Sequence, residues 1–537
     1  MNMVLVSISN WTGFTPVMSL TEETMFLLVA VCSLMSAPVL TGPIADSSYV
    51  AAVYEHKVIV PPVSNVSRAE ALQHIQKNLD IYEQQAAEAA KQGAQILVFP
   101  EYGLSGFYFD RSSVSSYLET IPDPQQENWN PCLEPGKYSN TEVLQRLSCM
   151  ARSNNLYLVA NMGDMQPCPL KTDPTSSCPP DGRWKFNTNV VFKSDGQLLA
   201  RYHKYNLYKE PYFDVPPQPE IITFDTPFAG KFGTMICFDM FFHKPTGILL
   251  DKGVRQLVYP TAWVNFPPVL DSVQFHRGFS LGANVTVLSS NLRFDKEHIG
   301  GSGIYTPFPS TYHHATEGDP EEGKLVVARV PVLDPMWRGE STATEESTSP
   351  TAATSGACQH TPDPNPEIAS SVPPSSDTFI VSLIDDPYTF VLLNKTEDDL
   401  KVCNGTFCCH LQYKRSPQAG SEELYALAAF SGTHTIVRTL NLQVCALVRC
   451  AGSDFTSCGQ PVVKAESKID FTLEGKFASK RVYPSVMTSK NVMEEPQNLE
   501  MAADGRVTMK HSNMSGGLIS ASLLGRPYQM DEECTGE

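Results

Sequence analysis

The stretch Gly233-Thr-Met-Ile-Cys237-Phe-Asp239-Met-Phe-Phe242 decides how this chain is read. A short apolar strand runs into one cysteine, and an acid follows as the chain turns toward a helix. A strand that ends in a bend fixes the sulfur and leaves backbone N–H groups free to meet an oxyanion. Free cysteine is also among the most buried residue types. Taken alone, Cys237 therefore reads first as a small apolar core residue, and the segments around it must decide.

Outward from Cys237 the chain alternates strands and helices. Strands are expected at Val50–Tyr54, Gln95–Phe99, Leu156–Ala160, Asn189–Phe192, Leu198–Tyr202, 233–237, Gln256–Tyr259 and Val285–Leu288. Helices are expected after the capping box Ser67-Arg-Ala-Glu70, where Leu72, Ile75, Leu79 and Tyr82 recur at helical spacing, and over 141–152, 244–252 and 269–282. The uninterrupted apolar run at Gln95–Phe99 suits a strand covered on both faces. Interleaving of this kind predicts an α/β layered sandwich over 45–334. Residues 340–376 are rich in Ser, Thr, Pro and Ala and lack large apolar side chains, so 335–377 reads as a linker. From 378 to 537 short alternating strands with Gly and Asn turns predict a smaller β-rich domain.

A length of 537 residues implies about two to four domains. The net charge of −18 argues against nucleic acid as a partner, because phosphate binding needs concentrated Lys and Arg. No long basic run offers an electrostatic membrane anchor. The apolar run 26–37 is too short to span a bilayer, which takes ~20 residues, and is followed by small residues. Residues 1–40 are thus expected to hold a secretory signal, although no Lys or Arg precedes Lys57. Glycosylation triplets stand at Asn65, Asn284, Asn394, Asn404 and Asn513, with Asn284 in a strand-like, buried-looking setting. Of fourteen cysteines, setting aside Cys32 in the leader and Cys237 leaves an even twelve for disulfides. Zinc is the rival reading of the Cys-rich C-terminal part, but secretion favours bridges.

Two further segments place chemistry at strand ends. Val98-Phe-Pro-Glu101-Tyr-Gly103 sets a carboxylate beyond a buried strand, and Arg201-Tyr-His-Lys204 sets a lysine likewise. Either alone reads as a solvated loop charge. Together with Cys237 they form an acid/base, a cation and a thiol at the edges where α/β sheets build sites. A thiol titrates near about 8.5, so a neighbouring ammonium favours the thiolate. A glutamate can take the thiol proton and return it to a leaving amine, whereas lysine as ammonium can only stabilise an oxyanion.

These residues resemble the Glu–Lys–Cys triad of the nitrilase, or carbon–nitrogen hydrolase, superfamily, and more closely its biotinidase/vanin branch. The resemblance is carried by Ala51-Ala-Val-Tyr-Glu-His56, Asn78-Leu-Asp-Ile-Tyr-Glu83, Arg146-Leu-Ser-Cys149 and Phe186-Asn-Thr-Asn-Val-Val-Phe192. Pro260-Thr-Ala-Trp263, Gly301-Ser-Gly-Ile-Tyr305, Tyr425-Ala-Leu, Cys408-Cys-His-Leu411 and Gln443-Val-Cys-Ala-Leu-Val-Arg-Cys450 extend it. It implies an αββα domain followed by a disulfide-stabilised β-rich domain, with Glu101, Lys204 and Cys237 catalytic. Glu210 matches a second glutamate of the superfamily and is expected either to position substrate or water or to be an exposed loop acid. By their place in the turn, the Phe238 N–H is expected to bind the oxyanion and Asp239 to cap or orient the turn rather than react. The substrate would be a small amide of a vitamin derivative, cleaved without metal or organic cofactor.

Two activities occur in the branch, release of biotin from biocytin or biotinyl peptides and cleavage of pantetheine. Trp129-Asn-Pro-Cys132-Leu-Glu-Pro135 and Lys204-Tyr-Asn-Leu-Tyr-Lys-Glu-Pro-Tyr-Phe-Asp-Val-Pro216 look more like the first. So does the polar C-terminal end, which carries no lipid-anchor signal. Cys132 with Cys149 and Cys168 with Cys178 are expected local pairs. A cysteine protease using His203 or His243, and a secreted glycoprotein without turnover, are the competing classes.

Overall fold

The computed structural model describes residues 47–61, 66–168, 178–315, 318–333, 378–416 and 423–535. The first part runs β1 (Ser48–Lys57), α1 (Arg68–Lys91), β2 (Ile96–Val98), α2 (Glu142–Asn154), β3 (Tyr157–Pro167), β4 (Arg183–Phe192) and β5 (Leu198–His203). It continues β6 (Thr223–Thr226), β7 (Gly230–Thr234), α3 (Ile248–Asp251), β8 (Gln256–Pro260), α4 (Ser272–Ala283) and β9 (Thr286–Ser290). β10 (Leu292–Arg293), β11 (Ser302–Tyr305), β12 (Thr311–His313) and β13 (Lys324–Pro331) complete it.

Two sheets form its centre. One has the order β10-β1-β2-β3-β4-β5, with β13 also on β1, and the other β12-β11-β9-β8-β7-β6. Val53, Val98, Val159, Val191, Phe232, Val258, Leu288 and Ile304 fill the space between them as one apolar cluster. α1 and α2 cover the outer face of the first sheet through Ile75, Leu79, Tyr82, Leu144 and Leu147. The capping box starts α1: Ser67 Oγ accepts from Glu70 N, and Glu70 Oε2 accepts from Ser67 N at 2.8 Å. α4 covers the second sheet. The result is the expected αββα sandwich.

Strand direction places the site. β2 is parallel to β3, and β3–β4 and β4–β5 are antiparallel, so β5 runs the same way as β2. The residues that follow β2 and β5, Glu101 and Lys204, therefore emerge at the same edge of one sheet.

The second part comprises β14 (Thr378–Leu383), β15 (Asp386–Leu392), β16 (Glu397–Asn404), β17 (Phe407–Ser416), β18 (Tyr425–Thr435) and β19 (Thr439–Arg449). It continues with β20 (Lys468–Lys476), β21 (Val482–Thr488), β22 (Val492–Met493), β23 (Asn498–Met501), β24 (Arg506–His511) and β25 (Leu518–Gly525), and ends with α5 (Tyr528–Thr535). Its sheets, β14-β15-β18-β19-β25-β21-β22 and β16-β17-β20-β24-β23, enclose a core that includes Leu411, Leu427, Leu447, Phe471 and Leu523. The Cys409–Cys445 disulfide ties β17 of one sheet to β19 of the other. Cys132–Cys149, Cys168–Cys178, Cys403–Cys408 and Cys450–Cys458 are also bridged, and Cys237 is the free cysteine among those whose side chains are described, which leave out Cys32, Cys358 and Cys534.

The two parts share a core. Phe241, Phe275 and Phe279 belong to the same buried cluster as Tyr388, Phe390, Phe430, Leu442 and Tyr483. β21 lies directly on α4, and any Cβ at Gly278 or Gly282 would collide with the carbonyl oxygens of Pro484 and Val482. Glycine is required there for close approach rather than for flexibility. Gln274 Nε2 donates to Ser485 Oγ and Ser520 Oγ, both at 3.0 Å, across the same contact.

Several boundaries differ from expectation. The strand read over 233–237 stops at Thr234, because Cys237–Phe241 closes a 3₁₀ turn. The helix read over 244–252 is present but irregular: Lys244, before Pro245, is extended, and a π-helical turn over His243–Gly247 leads into Ile248–Asp251. α4 begins only at Ser272, capped by Asp271, which accepts from Val273 N at 3.2 Å. Asn284 lies not in a strand but at the left-handed cap of α4, φ 53°, half-buried. Asparagine tolerates that conformation better than most residues. The leader 1–40, the linker 335–377, Asn65 and Cys358 lie outside the described residues.

Candidate active site

Glu101, Lys204, Glu210 and Cys237, expected from sequence to form the site, are brought together. Lys204 Nζ donates to Glu101 Oε1 at 2.7 Å and also bonds Glu210 Oε1. Asn187 Nδ2, from β4, bridges the two carboxylates at 2.8 Å to Glu101 Oε1 and 2.9 Å to Glu210 Oε2. The second oxygen of Glu101 accepts from Ala262 N at 2.9 Å, and Glu210 Oε1 accepts from Tyr208 N at 3.1 Å. Glu101 and Lys204 are each 1% exposed, so neither is the solvated loop charge that its local sequence allowed.

Burial pushes the Glu101 carboxyl above its ordinary value, against the pull of the Lys204 ammonium. Burial works against the Lys204 charge too, but the carboxylates of Glu101 and Glu210 beside it hold its pKa well above the usual one. Lys204 is therefore an ammonium and not a base. Burial, and then the Glu101 charge, push the Cys237 thiol well up, while Lys204 pulls it back. Burial thus favours the thiol over the thiolate, and attack on a carbonyl calls for a base beside the sulfur.

The turn that presents the sulfur is braced on both sides. Cys237 has a φ of +44°, a left-handed conformation that costs a non-glycine residue about 1–3 kcal/mol. Tyr259 OH donates to its carbonyl at 2.6 Å. Asp239 Oδ2 accepts from Ile236 N at 3.1 Å and from Tyr202 OH at 2.7 Å. Its Oδ1 accepts from Asn206 N at 2.9 Å and Asn206 Nδ2 at 2.8 Å. Asp239 thus orients the turn. Phe238 N–H stands in the first turn of this 3₁₀ segment, where donors have no partner within the helix.

A space of 460 Å³, counting the part open to solvent, lies over the sulfur. Tyr208, Phe238, Phe241, Trp263 and Phe266 line it, together with residues of the β18–β19 hairpin. A larger basin near Arg68, Glu119 and Arg201 contains none of the clustered groups, so size does not mark the chemistry. The alternative bases are elsewhere engaged: His203 lies between Asp164 and Glu220, at 2.8 Å from each, and His243 bonds Asp251 at 3.2 Å.

Sequence reasoning passed over Asn187, Tyr259 and the Ala262 N–H. Asn187 left a readable sign, since Phe186-Asn-Thr-Asn-Val-Val-Phe192 places amides inside an apolar strand, and buried amides need partners. The roles of Tyr259 and Ala262 arise from contacts across the fold and leave none.

A buried thiol, carboxylate and ammonium at the edge of an αββα sandwich define an amide-cleaving class. Residues 67–319 match the carbon–nitrogen hydrolase family and residues 381–531 the vanin C-terminal domain. The chain belongs to the biotinidase/vanin branch of the carbon–nitrogen hydrolases, enzymes that hydrolyse amides. It is 62% identical over 488 residues to a biotinidase of Takifugu rubripes, covering 90% of this chain and 95% of that one. It is 42% identical over 498 residues to a biotinidase of Homo sapiens, covering 90% of each. A pantetheinase of Bos taurus is 40% identical over 498 residues, again with 90% of each chain covered.

Proposed function

We propose that this enzyme hydrolyses biotin amides, biocytin and biotinyl peptides, through a thioester on Cys237. Glu101 takes the thiol proton as sulfur attacks the amide carbonyl. The oxyanion is held by the Lys204 ammonium and the Phe238 N–H, each donor contributing on the order of 10²-fold. Collapse breaks the C–N bond, and Glu101 gives its proton to the departing amine. Glu101 then deprotonates a water that attacks the thioester, and the sulfur leaves, regaining its proton as the acid is released. Glu210 and Asn187 keep Lys204 and Glu101 in register. Every step runs on protein side chains and water.

The observation that carries this reading is the bond of Lys204 to Glu101, buried next to a free thiol. The biotin substrate is supported by the 62% identity to the Takifugu biotinidase. Assaying biocytin and pantetheine side by side tests it: biocytin should be the better substrate, and Cys237→Ala should turn over neither. Preference for pantetheine would replace the biotin reading, and full activity of Cys237→Ala would end the mechanism.

We also read the chain as a secreted glycoprotein: a leader over 1–40, a catalytic domain over 45–334, a linker over 335–377 and a β-rich domain over 378–537. Five disulfides among the described residues support passage through an oxidising compartment. No described helix is long and apolar enough to cross a membrane. Asn394 and Asn513 are exposed, and Asn404 and Asn284 are half-buried. Mass loss on peptide N-glycosidase treatment of protein from the culture medium checks both claims. An unmodified protein retained in the cell would overturn them.

A further inference from the structure

The space over Cys237 is not built by the catalytic half alone. The β18–β19 hairpin reaches over from the second half and contributes His434, Ile436 and Leu440 to its lining. The hairpin is held in place. At its turn the Arg438 guanidinium donates to Asn206 Oδ1 at 2.7 Å, and Asn206 in turn is bonded to Asp239, which orients the Cys237 turn. Hairpin and nucleophile are thus connected through two side chains.

His434 is the polar group on an otherwise apolar wall. It is 4% exposed, and its Nδ1 bonds Asp386 Oδ2 at 2.7 Å. A carboxylate can only accept, so Nδ1 carries the hydrogen of that bond. In the neutral ring Nε2 then presents a lone pair, and no described residue bonds it. An imidazole oriented by a buried carboxylate, with its other nitrogen at a pocket, is prepared to accept a hydrogen bond from a ligand.

We propose that this hairpin is the specificity wall of the enzyme: Ile436 and Leu440 pack on the apolar part of the acyl group, and His434 Nε2 accepts from an N–H or O–H donor on it. The substrate class is an amide whose acyl group joins an aliphatic stretch to a hydrogen-bond donor. A cyclic urea N–H and a hydroxyl both meet that description, as the biotinyl and pantothenoyl groups respectively. The proposal rests on Cys237 being the nucleophile.

The test uses the full chain with three amides: biocytin, pantetheine and Nε-hexanoyl-lysine, which has the leaving amine of biocytin but no acyl donor. His434→Gln should raise KM for the better of the first two by about fivefold, the ~1 kcal/mol of one neutral hydrogen bond. Its KM for hexanoyl-lysine should stay within about twofold. Ile436→Ala should lower kcat/KM about tenfold for hexanoyl-lysine as well, through lost apolar contact. Equal effects of His434→Gln on all three amides, or none on any, would overturn the proposal. Should His434→Gln fail to fold, Ile436→Ala and Ile436→Trp decide it, because unchanged kcat/KM in both would remove the wall. Iodoacetamide labelling on the same samples separates the two readings. A wild-type Cys237 that resists alkylation sinks the mechanism, whereas labelled variants with unmoved KM sink only the hairpin.

Discussion

Tyr259 OH donates a 2.6 Å hydrogen bond to the carbonyl of Cys237, a residue held at a φ of +44°. The bond spans from the end of β8 to the turn after β7 and secures a strained turn. Tyr259→Phe removes the donor but keeps the ring, so the cost to stability should be only ~1 kcal/mol. A sulfur displaced by a fraction of an ångström should lower kcat by about tenfold or more. Wild-type kcat in Tyr259→Phe would show that the turn needs no such brace.

Glu101→Gln keeps the shape of the side chain and removes the carboxylate proposed as base. Turnover should fall by about 10²–10⁴-fold in both acylation and deacylation. Single-turnover assays with biocytin follow the first step and hydrolysis of a preformed acyl-enzyme the second. Loss confined to one step would assign the other to a different group.

Lys204→Met should damage folding as well as catalysis. It leaves Glu101 and Glu210 buried without their cation, and breaking a buried pair from one side costs about 3–5 kcal/mol. Urea unfolding measures it. A stability within 1 kcal/mol of wild type, on the order of a surface substitution, would contradict the placement.

The pH dependence has a definite sign. Because burial raises Glu101, the acid limb of kcat/KM should lie above its ordinary 4.5, with activity rising as the carboxyl loses its proton. For stability, Glu119 is pushed up from 4.5 to about 7 by burial, which exceeds the effect of its N–H and Arg68 partners. Between those values the folded carboxyl keeps a proton that the unfolded one has lost, so stability falls as pH rises through the window. Against Glu119→Gln the wild type should lose roughly 3 kcal/mol between pH 4.5 and 7. A flat difference across that range would show that Glu119 titrates normally.

The two halves should not separate. Residues 47–333 expressed alone would expose the shared cluster around Phe275 and Phe279, and should bind a hydrophobic dye and aggregate. Within the second half, reducing Cys409–Cys445 by a Cys→Ala pair should cost about 4 kcal/mol, from the loop it closes. A monomeric, dye-negative fragment would argue for independent domains.

Much of the fold was legible because its signals are local. The capping box at Ser67, the helical spacing of Ile75, Leu79 and Tyr82, and the apolar run before Glu101 each report on a few consecutive residues. The turn at Cys237 was legible as a turn but not in detail. A left-handed cysteine is stabilised by Tyr259 and Asp239 rather than by its own preference, so the expected strand ran too far. Asn284 misled for the same reason, as a β-branched neighbourhood hid a helix cap.

By itself the sequence determined the alternation of strands and helices and singled out Glu101, Lys204 and Cys237 as the side chains to look for at strand ends. Those depend on residue type and near-neighbour spacing. Only the tertiary structure decided that Glu101, Lys204 and Cys237 are buried together, that Asn187 links two carboxylates, and that a hairpin more than 190 residues beyond Cys237 walls the same pocket. Such contacts come from strand order and from apolar faces closing on each other, and no stretch of chain carries that information alone.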